Sequence, residues 1–130
     1  MGPLDDQVLR PGALTVTSGG LDVAVYSHWY RALPLSCVVT VNLSVDGTAV
    51  EPEITVNGVR HTLASLREQA GEYWFTTDPL ILHAPVARPG GQHHVEVELG
   101  LSIPYILIGA GRQPLLSASR SARILTARQP

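Results

Sequence analysis

The stretch Cys37-Val38-Val39-Thr40-Val41-Asn42-Leu43-Ser44-Val45-Asp46-Gly47 decides the fold of this chain. From residue 39 to residue 45 apolar and polar side chains alternate strictly, which is typical of a β-strand with one buried face. The pair Asp46-Gly47 follows at once, and such a pair favours a two-residue hairpin turn because both residues tolerate positive φ. The stretch therefore predicts a strand that turns directly into an antiparallel neighbour.

The same signals recur along the chain. Asn57-Gly58 predicts a second hairpin, between Ile54–Val56 and Val59–Leu63. The longest alternating run, His93–Ile103, puts His93 and four aliphatic residues on one face and His94, Glu96 and Glu98 on the other. Further strands are predicted within residues 13–18, 21–26, 73–77, 80–83 and 115–125, a single helix within Ala64–Ala70, and chain breaks at Pro104 and at 109–111.

Eight or nine short strands with at most one short helix indicate an all-β chain. We expect a single-domain antiparallel β-sandwich, jelly-roll-like, over residues 1–130, with a small barrel as the alternative. A chain of 130 residues has the usual size of one domain. Residues 1–11 and 127–130 are expected to be flexible ends.

Composition excludes several function classes. The net charge is -2 and lysine is absent, so nucleic-acid binding is not expected. No run approaches the roughly 20 apolar residues of a membrane span, and residues 1–6 do not resemble a signal peptide, so a cytoplasmic protein is expected. Cys37 is the single cysteine, which leaves no internal disulfide. Charged residues make up only 15%, and such a thin polar surface favours a protein partner.

The sequence offers little catalytic chemistry. His93 and His94 invite a metal-site interpretation, but neighbouring residues of a strand point to opposite faces and cannot hold one ion together. The other histidines, His28, His61 and His83, are interpreted as surface or turn residues. There is no Gly-x-Ser-x-Gly motif for a serine nucleophile. We therefore expect no catalytic residue and no metal site in this chain.

A contact site is predicted where a strand should end, in the segment from Trp29 to Ser36. Pro34 lacks an N–H group and keeps the residue before it extended, so the segment continues a paired strand poorly. Trp, Tyr and Arg are also the residue types that dominate binding hot spots. The simpler alternative is that the two aromatic residues close one end of the core.

Five segments together resemble the small β subunit of bacterial C-glycoside deglycosidases. The resemblance runs from about residue 21 to residue 125, and its most specific part is the tyrosine-arginine-x-leucine-proline-leucine-serine core at 30–36. Ala32 departs from the pattern, since the family resemblance leads us to expect glycine there. The segments are Trp29–Ser36, Val45–Gly47, Tyr73–Phe75, Gly91–Val97 and Ile103–Ile106.

The resemblance implies a function in a complex. Such enzymes cleave the C–C bond between a sugar and its aglycone, after another enzyme has oxidised the 3-hydroxyl, by β-elimination from the 3-oxo-C-glycoside. The chemistry belongs to a large, sugar-isomerase-like barrel subunit that carries a divalent metal, expected to be Mn²⁺, and that binds most of the substrate. This chain would be a non-catalytic subunit at the active-site mouth. The residues expected in that contact are Trp29, Tyr30, Arg31, Leu33, Pro34, Leu35 and Tyr105.

Two alternatives from other classes stay open. A stand-alone carbohydrate-binding module would use Trp29 and Trp74 as sugar-stacking platforms and would bind sugar as an isolated chain. A cupin-like metalloprotein would hold a metal in the isolated chain.

Overall fold

A computed structural model describes residues 7–129, most of which lie in eleven β-strands. One short helix, α1 (Leu63–Leu66), and a 3-10 turn at Leu35–Cys37 accompany the strands in this part of the chain. The all-β prediction with at most one short helix is therefore confirmed, although the strands outnumber the expected eight or nine. The strands are β1 (Leu14–Thr17), β2 (Gly20–Val25), β3 (Leu33–Pro34), β4 (Val38–Val45), β5 (Thr48–Val50), β6 (Glu53–Val56), β7 (Val59–His61), β8 (Tyr73–Trp74), β9 (Leu80–Pro85), β10 (Gln92–Ile108) and β11 (Gln113–Thr126).

Two antiparallel sheets enclose one hydrophobic core. One sheet has the order β1-β2-β9-β6-β7 and the other the order β11-β10-β4-β5, while β3 and β8 form a separate short pair. Alternation along β10 buries Val95, Val97 and Leu99 completely, as the sequence pattern predicts. The facing sheet contributes Val23 and Leu82, which are equally buried. The core therefore lies between the sheets, in the arrangement of a sandwich.

Both predicted hairpin turns are confirmed. Asp46 and Gly47 have φ values of 52° and 81° between β4 and β5, and Asn57 and Gly58 have 53° and 78° between β6 and β7. Positive φ at both central residues is what a type I′ turn requires, and its twist matches that of the flanking strands. These turns fix the register of the two hairpins.

Two local predictions about side-chain direction and strand length were wrong. The pairing of β4 with β10 shifts register at Val39, which was predicted to lie on the buried face. Val38 is buried instead of Val39, and the regular alternation begins at Thr40, one residue later than predicted. Pro104 does not end β10, which continues to Ile108. Pro104 is tolerated because it lies at a register shift, where its missing N–H group breaks no ladder hydrogen bond.

Other boundaries also differ. The helix begins at Leu63, where the Thr62 side chain caps it, and ends at Leu66, four residues before the predicted end. The strand predicted over 73–77 has only the two residues of β8, because the Trp74 indole and Asp78 join in a turn. No helix among residues 7–129 is long and apolar enough to cross a membrane.

Parts of both chain ends, for which flexibility is expected, pack against the rest of the chain. Val8 and Leu9 are fully buried, and the Val8 carbonyl accepts a hydrogen bond from the Tyr26 N–H. At the other end Ala127 is buried and Arg128 exchanges backbone hydrogen bonds with β1. Residues 1–6 and 130 of the predicted flexible ends lie outside the described residues.

Candidate functional site

A bulge in β10 creates the site. Ile103 pairs with Leu115 and Leu107 pairs with Pro114, so the three residues between Ile103 and Leu107 have no partner in β11. Bulges of this kind re-aim side chains away from the regular pleat. The central residue of the three is Tyr105, and the bulge turns it toward the segment that follows β2.

Tyr105 joins a group that we call the aromatic cluster: Trp29, Tyr30, Arg31 and Tyr105. The Trp29 Nε1–H donates a short hydrogen bond to the Tyr105 hydroxyl. The Trp29 ring centroid lies 5.2 Å from that of Tyr30 and 6.5 Å from that of Tyr105, both tilted. The Arg31 guanidinium carbon lies 4.9 Å from the Tyr105 centroid, within range of a cation–π contact. The structure thus brings together four of the predicted site residues.

The aromatic cluster is exposed to solvent on one side and is held in place by contacts with the core on the other. Tyr30 is 64% exposed and Tyr105 is 45% exposed, whereas Trp29 is half-buried and packs on the core. The buried Ser27 hydroxyl accepts a hydrogen bond from the Trp29 N–H at 3.0 Å. The simpler interpretation, that the two aromatic residues close the core, therefore holds in part for Trp29 and does not hold for Tyr30.

The other three predicted site residues have a supporting position. Leu33 and Leu35 are buried, so their side chains belong to the core of this chain and offer no surface. Pro34 is half-buried and pairs with Tyr73 in the short β3-β8 ladder. A hydrogen bond of 2.8 Å from the Leu35 N–H to the Glu72 carbonyl extends this ladder. The Leu-Pro-Leu stretch therefore anchors the aromatic cluster to the core.

The histidines do not gather into one site. His28 is buried, which corrects its interpretation as a surface residue, and its Nε2 lies 3.1 Å from the Ser117 hydroxyl. His61 contacts Ser65, whereas His83 lies between Asp22 and Thr55 on the outer face of the five-stranded sheet. No group of three or more His, Cys, Asp or Glu side chains within residues 7–129 could hold a metal ion.

His93 instead links a turn to a loop. Its Nδ1 lies 2.6 Å from the Asp46 carboxylate and its Nε2 lies 3.0 Å from the Pro89 carbonyl, which can only accept a hydrogen bond. Burial lowers the pKa of His93, but the Asp46 and Pro89 hydrogen bonds outweigh burial and raise the pKa overall. The hydrogen bonds from His93 and from the His94 N–H lower the pKa of Asp46. This pair ties the turn between β4 and β5 to the loop before β10.

Trp74 and Cys37 bear on other possible functions of this chain, sugar stacking and nucleophilic chemistry. Trp74 is buried and donates its indole N–H to the Asp78 carbonyl, so it offers no platform for a sugar ring. Burial raises the pKa of the Cys37 thiol, so this cysteine is not activated as a nucleophile. Neither Trp74 nor Cys37 therefore offers a binding or nucleophilic site at the surface.

Sequence reasoning missed the surface next to the cluster. We call residues 104–116, the outer end of the β10-β11 hairpin, the apolar ribbon. Leu107, Ile108 and Leu116 are all exposed there. The sequence signal was present, since this run of thirteen residues contains one charge, Arg112. Pro104 and the glycines at 109 and 111 favour a break and a loop, so the sequence pattern does not predict a long exposed hairpin here.

Comparison with known proteins gives one consistent result. The family described as C-glycoside deglycosidase beta subunit matches residues 8–105. A C-glycoside deglycosidase beta subunit of Arthrobacter globiformis is 36% identical over 82% of this chain and 85% of its own length, and one of Microbacterium trichothecenolyticum is 35% identical over 81% and 83%. A 3'-dehydrocarminate deglycosidase beta subunit of a Microbacterium species is 30% identical over 78% and 80%. The family match and these relatives show that the chain belongs to the C-glycoside deglycosidase beta subunit family.

Proposed function

We propose that this chain is the non-catalytic small subunit of a heteromeric C-glycoside deglycosidase. Its partner is a large subunit with a sugar-isomerase-like barrel, and the two meet at the mouth of the active site on that barrel. The observation that carries the proposal is the aromatic cluster, which presents Tyr30, Arg31 and Tyr105 to solvent in a fixed arrangement. Few exposed side chains bind a partner as strongly as these types do.

The reaction of the complex would be β-elimination on a 3-oxo-C-glycoside. A ketone at C3 acidifies the proton at C2, and loss of that proton allows the bond from C1 to the aglycone carbon to break. The electron pair of that bond leaves with the aglycone carbon, which is then protonated. The name of the 3'-dehydrocarminate relative supports an oxidised sugar as the substrate class.

The large subunit would supply the general base and the divalent metal, expected to be Mn²⁺, which would stabilise the negative charge that develops at the ketone oxygen. We assign the metal to that subunit because residues 7–129 of this chain contain no suitable group of ligands. The role left to the aromatic cluster is to order loops at the active-site mouth and exclude water, which strengthens the electrostatic contacts inside. A cytoplasmic location is part of the proposal.

The test is co-expression of a tagged form of this chain with the large subunit, followed by purification and assay of aglycone release from a 3-oxo-C-glycoside with added Mn²⁺. We expect an active complex, while this chain alone has no activity. Tyr30→Ala and Arg31→Ala should weaken the complex by about tenfold or more each. Arg88→Ala removes an exposed arginine from a loop elsewhere and serves as the control.

Each other outcome has a definite meaning. If this chain binds sugar or metal alone and no large subunit, the subunit proposal is wrong and the binding-module or cupin alternative returns. If the complex forms and is active but Tyr30→Ala and Arg31→Ala leave assembly and turnover at the level of Arg88→Ala, the aromatic cluster is not the contact site.

A further inference from the structure

The apolar ribbon leaves the sheet that supports the rest of the hairpin. β4 pairs with β10 only as far as Leu101, so beyond that point β10 has β11 alone beside it in the pairing of the described strands. Leu107 and Ile108 are consecutive and point to opposite faces of the ribbon, yet both are exposed. Leu116 on β11 is 70% exposed. Ile106 and Leu115 at the base of the ribbon pack against the core, but beyond them Leu107, Ile108 and Leu116 expose apolar surface on both faces, which favours a partner that covers it.

We propose that the apolar ribbon inserts into an apolar groove of the large subunit, next to the site of the aromatic cluster. The inference rests on the proposed function for the identity of the partner. The inference adds a second contact surface on this chain. It also specifies the shape of the partner's surface: a groove can cover both faces of the ribbon, whereas a flat surface would cover only one.

The ribbon is continuous with the aromatic cluster, and this continuity indicates that the large subunit is the partner that covers the ribbon. Tyr105 belongs to both surfaces, because the bulge that turns its side chain toward Trp29 and Arg31 lies at the base of the ribbon. A partner that covers Tyr105 therefore meets the ribbon as well. The single charge of the ribbon is that of Arg112, which makes no ion pair within residues 7–129. We expect a carboxylate of the partner opposite it.

The area required for a stable complex supports the same conclusion. Tyr30 and Tyr105, at their exposed fractions, present about 200 to 250 Å² together. With Arg31, and with the neighbouring half-buried Pro34, the aromatic cluster reaches about half of the ~800 Å² per partner that a stable interface buries. The exposed leucines and isoleucine of the ribbon, with Arg112 and the turn around it, supply an area of similar size. The cluster alone is too small for a stable complex, and cluster and ribbon together have the usual size.

The chain provides a matched pair of variants for the test. Leu116 and Ile124 lie on β11, eight residues apart and therefore on the same face of the strand, and they are 70% and 69% exposed. Leu116→Asp places a charge on the ribbon, while Ile124→Asp places the same charge at the other end of the strand, about 26 Å away. Leu107→Asp tests the ribbon from β10. The Kd of each variant for the large subunit would be measured by titration calorimetry, with circular dichroism as the check on folding.

We expect Leu116→Asp and Leu107→Asp to raise the Kd by about 30-fold or more, with Ile124→Asp within about threefold of wild type. If both ribbon variants are folded and bind like Ile124→Asp while the wild-type complex forms, the ribbon inference is wrong and the proposed function stands. If the wild-type chain binds no large subunit, the proposed function fails first. If the wild-type chain alone is a dimer and Leu116→Asp makes it monomeric, a second copy covers the ribbon and the inference is overturned.

Discussion

Replacing Tyr105 by leucine tests how the aromatic cluster is held together. The substitution keeps an apolar side chain at the base of the ribbon but removes the hydroxyl and the ring. Loss of the Trp29 hydrogen bond costs about 0.5 to 1.5 kcal/mol, and at this exposed site we use about 0.5. The ring contact with Trp29 contributes about 0.5 to 1 kcal/mol and the Arg31 cation–π contact a similar amount. Together these losses amount to about 2 kcal/mol.

If the partner binds the cluster in this arrangement, about 2 kcal/mol corresponds to an increase of roughly 30-fold in the Kd for the large subunit. Tyr105→Phe keeps both ring contacts and should cost only about two- to threefold. The control is Tyr26→Leu, which removes a tyrosine ring from beneath Arg10, whose guanidinium carbon lies 3.6 Å from the ring centroid. That variant should change stability and leave the Kd unaltered.

The reasoning is refuted if Tyr105→Phe weakens binding as much as Tyr105→Leu, since the ring contacts would then contribute nothing. It is equally refuted if Tyr105→Leu and Tyr26→Leu have the same Kd. A double-mutant cycle between Tyr105→Leu and Arg31→Ala isolates the cation–π contact, and a coupling energy of about 0.5 to 1 kcal/mol is expected.

Three further predictions concern stability and reactivity. Gly20→Ala should lower the free energy of unfolding by about 3 kcal/mol or more, because a Cβ there overlaps the backbone of β9 at a φ of 150°; urea denaturation measures it. Because the pKa of His93 is raised, its contribution to stability is complete below the ordinary value of 6.5 and disappears as the pH rises through the raised value. For Asp46, whose pKa is lowered, the contribution is present above 3.8 and disappears as the pH falls through the lowered value. Denaturation against pH should show both limbs; His93→Gln should remove the His93 limb and reduce the Asp46 limb, which the His94 N–H hydrogen bond partly maintains, while His94→Gln keeps both. Cys37 should react with a thiol reagent slowly in the native protein and rapidly in denaturant; equal rates would contradict its burial.

Local chemistry accounts for what the sequence predicted well. The turns at Asp46-Gly47 and Asn57-Gly58 depend on two residues each, and the buried face of β10 depends on alternation alone, so both were predictable. The bulge after Ile103 was not, because it depends on how β11 pairs with β10 across the hairpin. Burial of Val8 is likewise set by contacts with a distant segment.

In the candidate site, too, some features were predictable from the sequence and others depended on contacts between distant segments. Residue type pointed to Trp29, Tyr30 and Arg31, which the structure presents at one surface with Tyr105. Residue type did not separate them from Leu33 and Leu35, whose side chains face inward. Apolar residues occur both in cores and at interfaces, and only the direction of each side chain, set by the β3-β8 pairing, decides between the two.

The order of the strands in the two sheets has a consequence for how this chain acquires its structure during synthesis. The partner of β2 in the sheet is β9, and the Asp22–His83 contact between them joins residues 61 positions apart; the Asn42–Glu98 contact between β4 and β10 spans 56. Until β9 and β10 have left the ribosome, β2 has only β1 beside it and β4 has only β5. Such long-range pairing predicts folding in milliseconds to seconds, with a nascent chain that exposes unpaired strands for most of its synthesis. Slow growth and a chaperone or partner present during translation should therefore raise the yield of this chain.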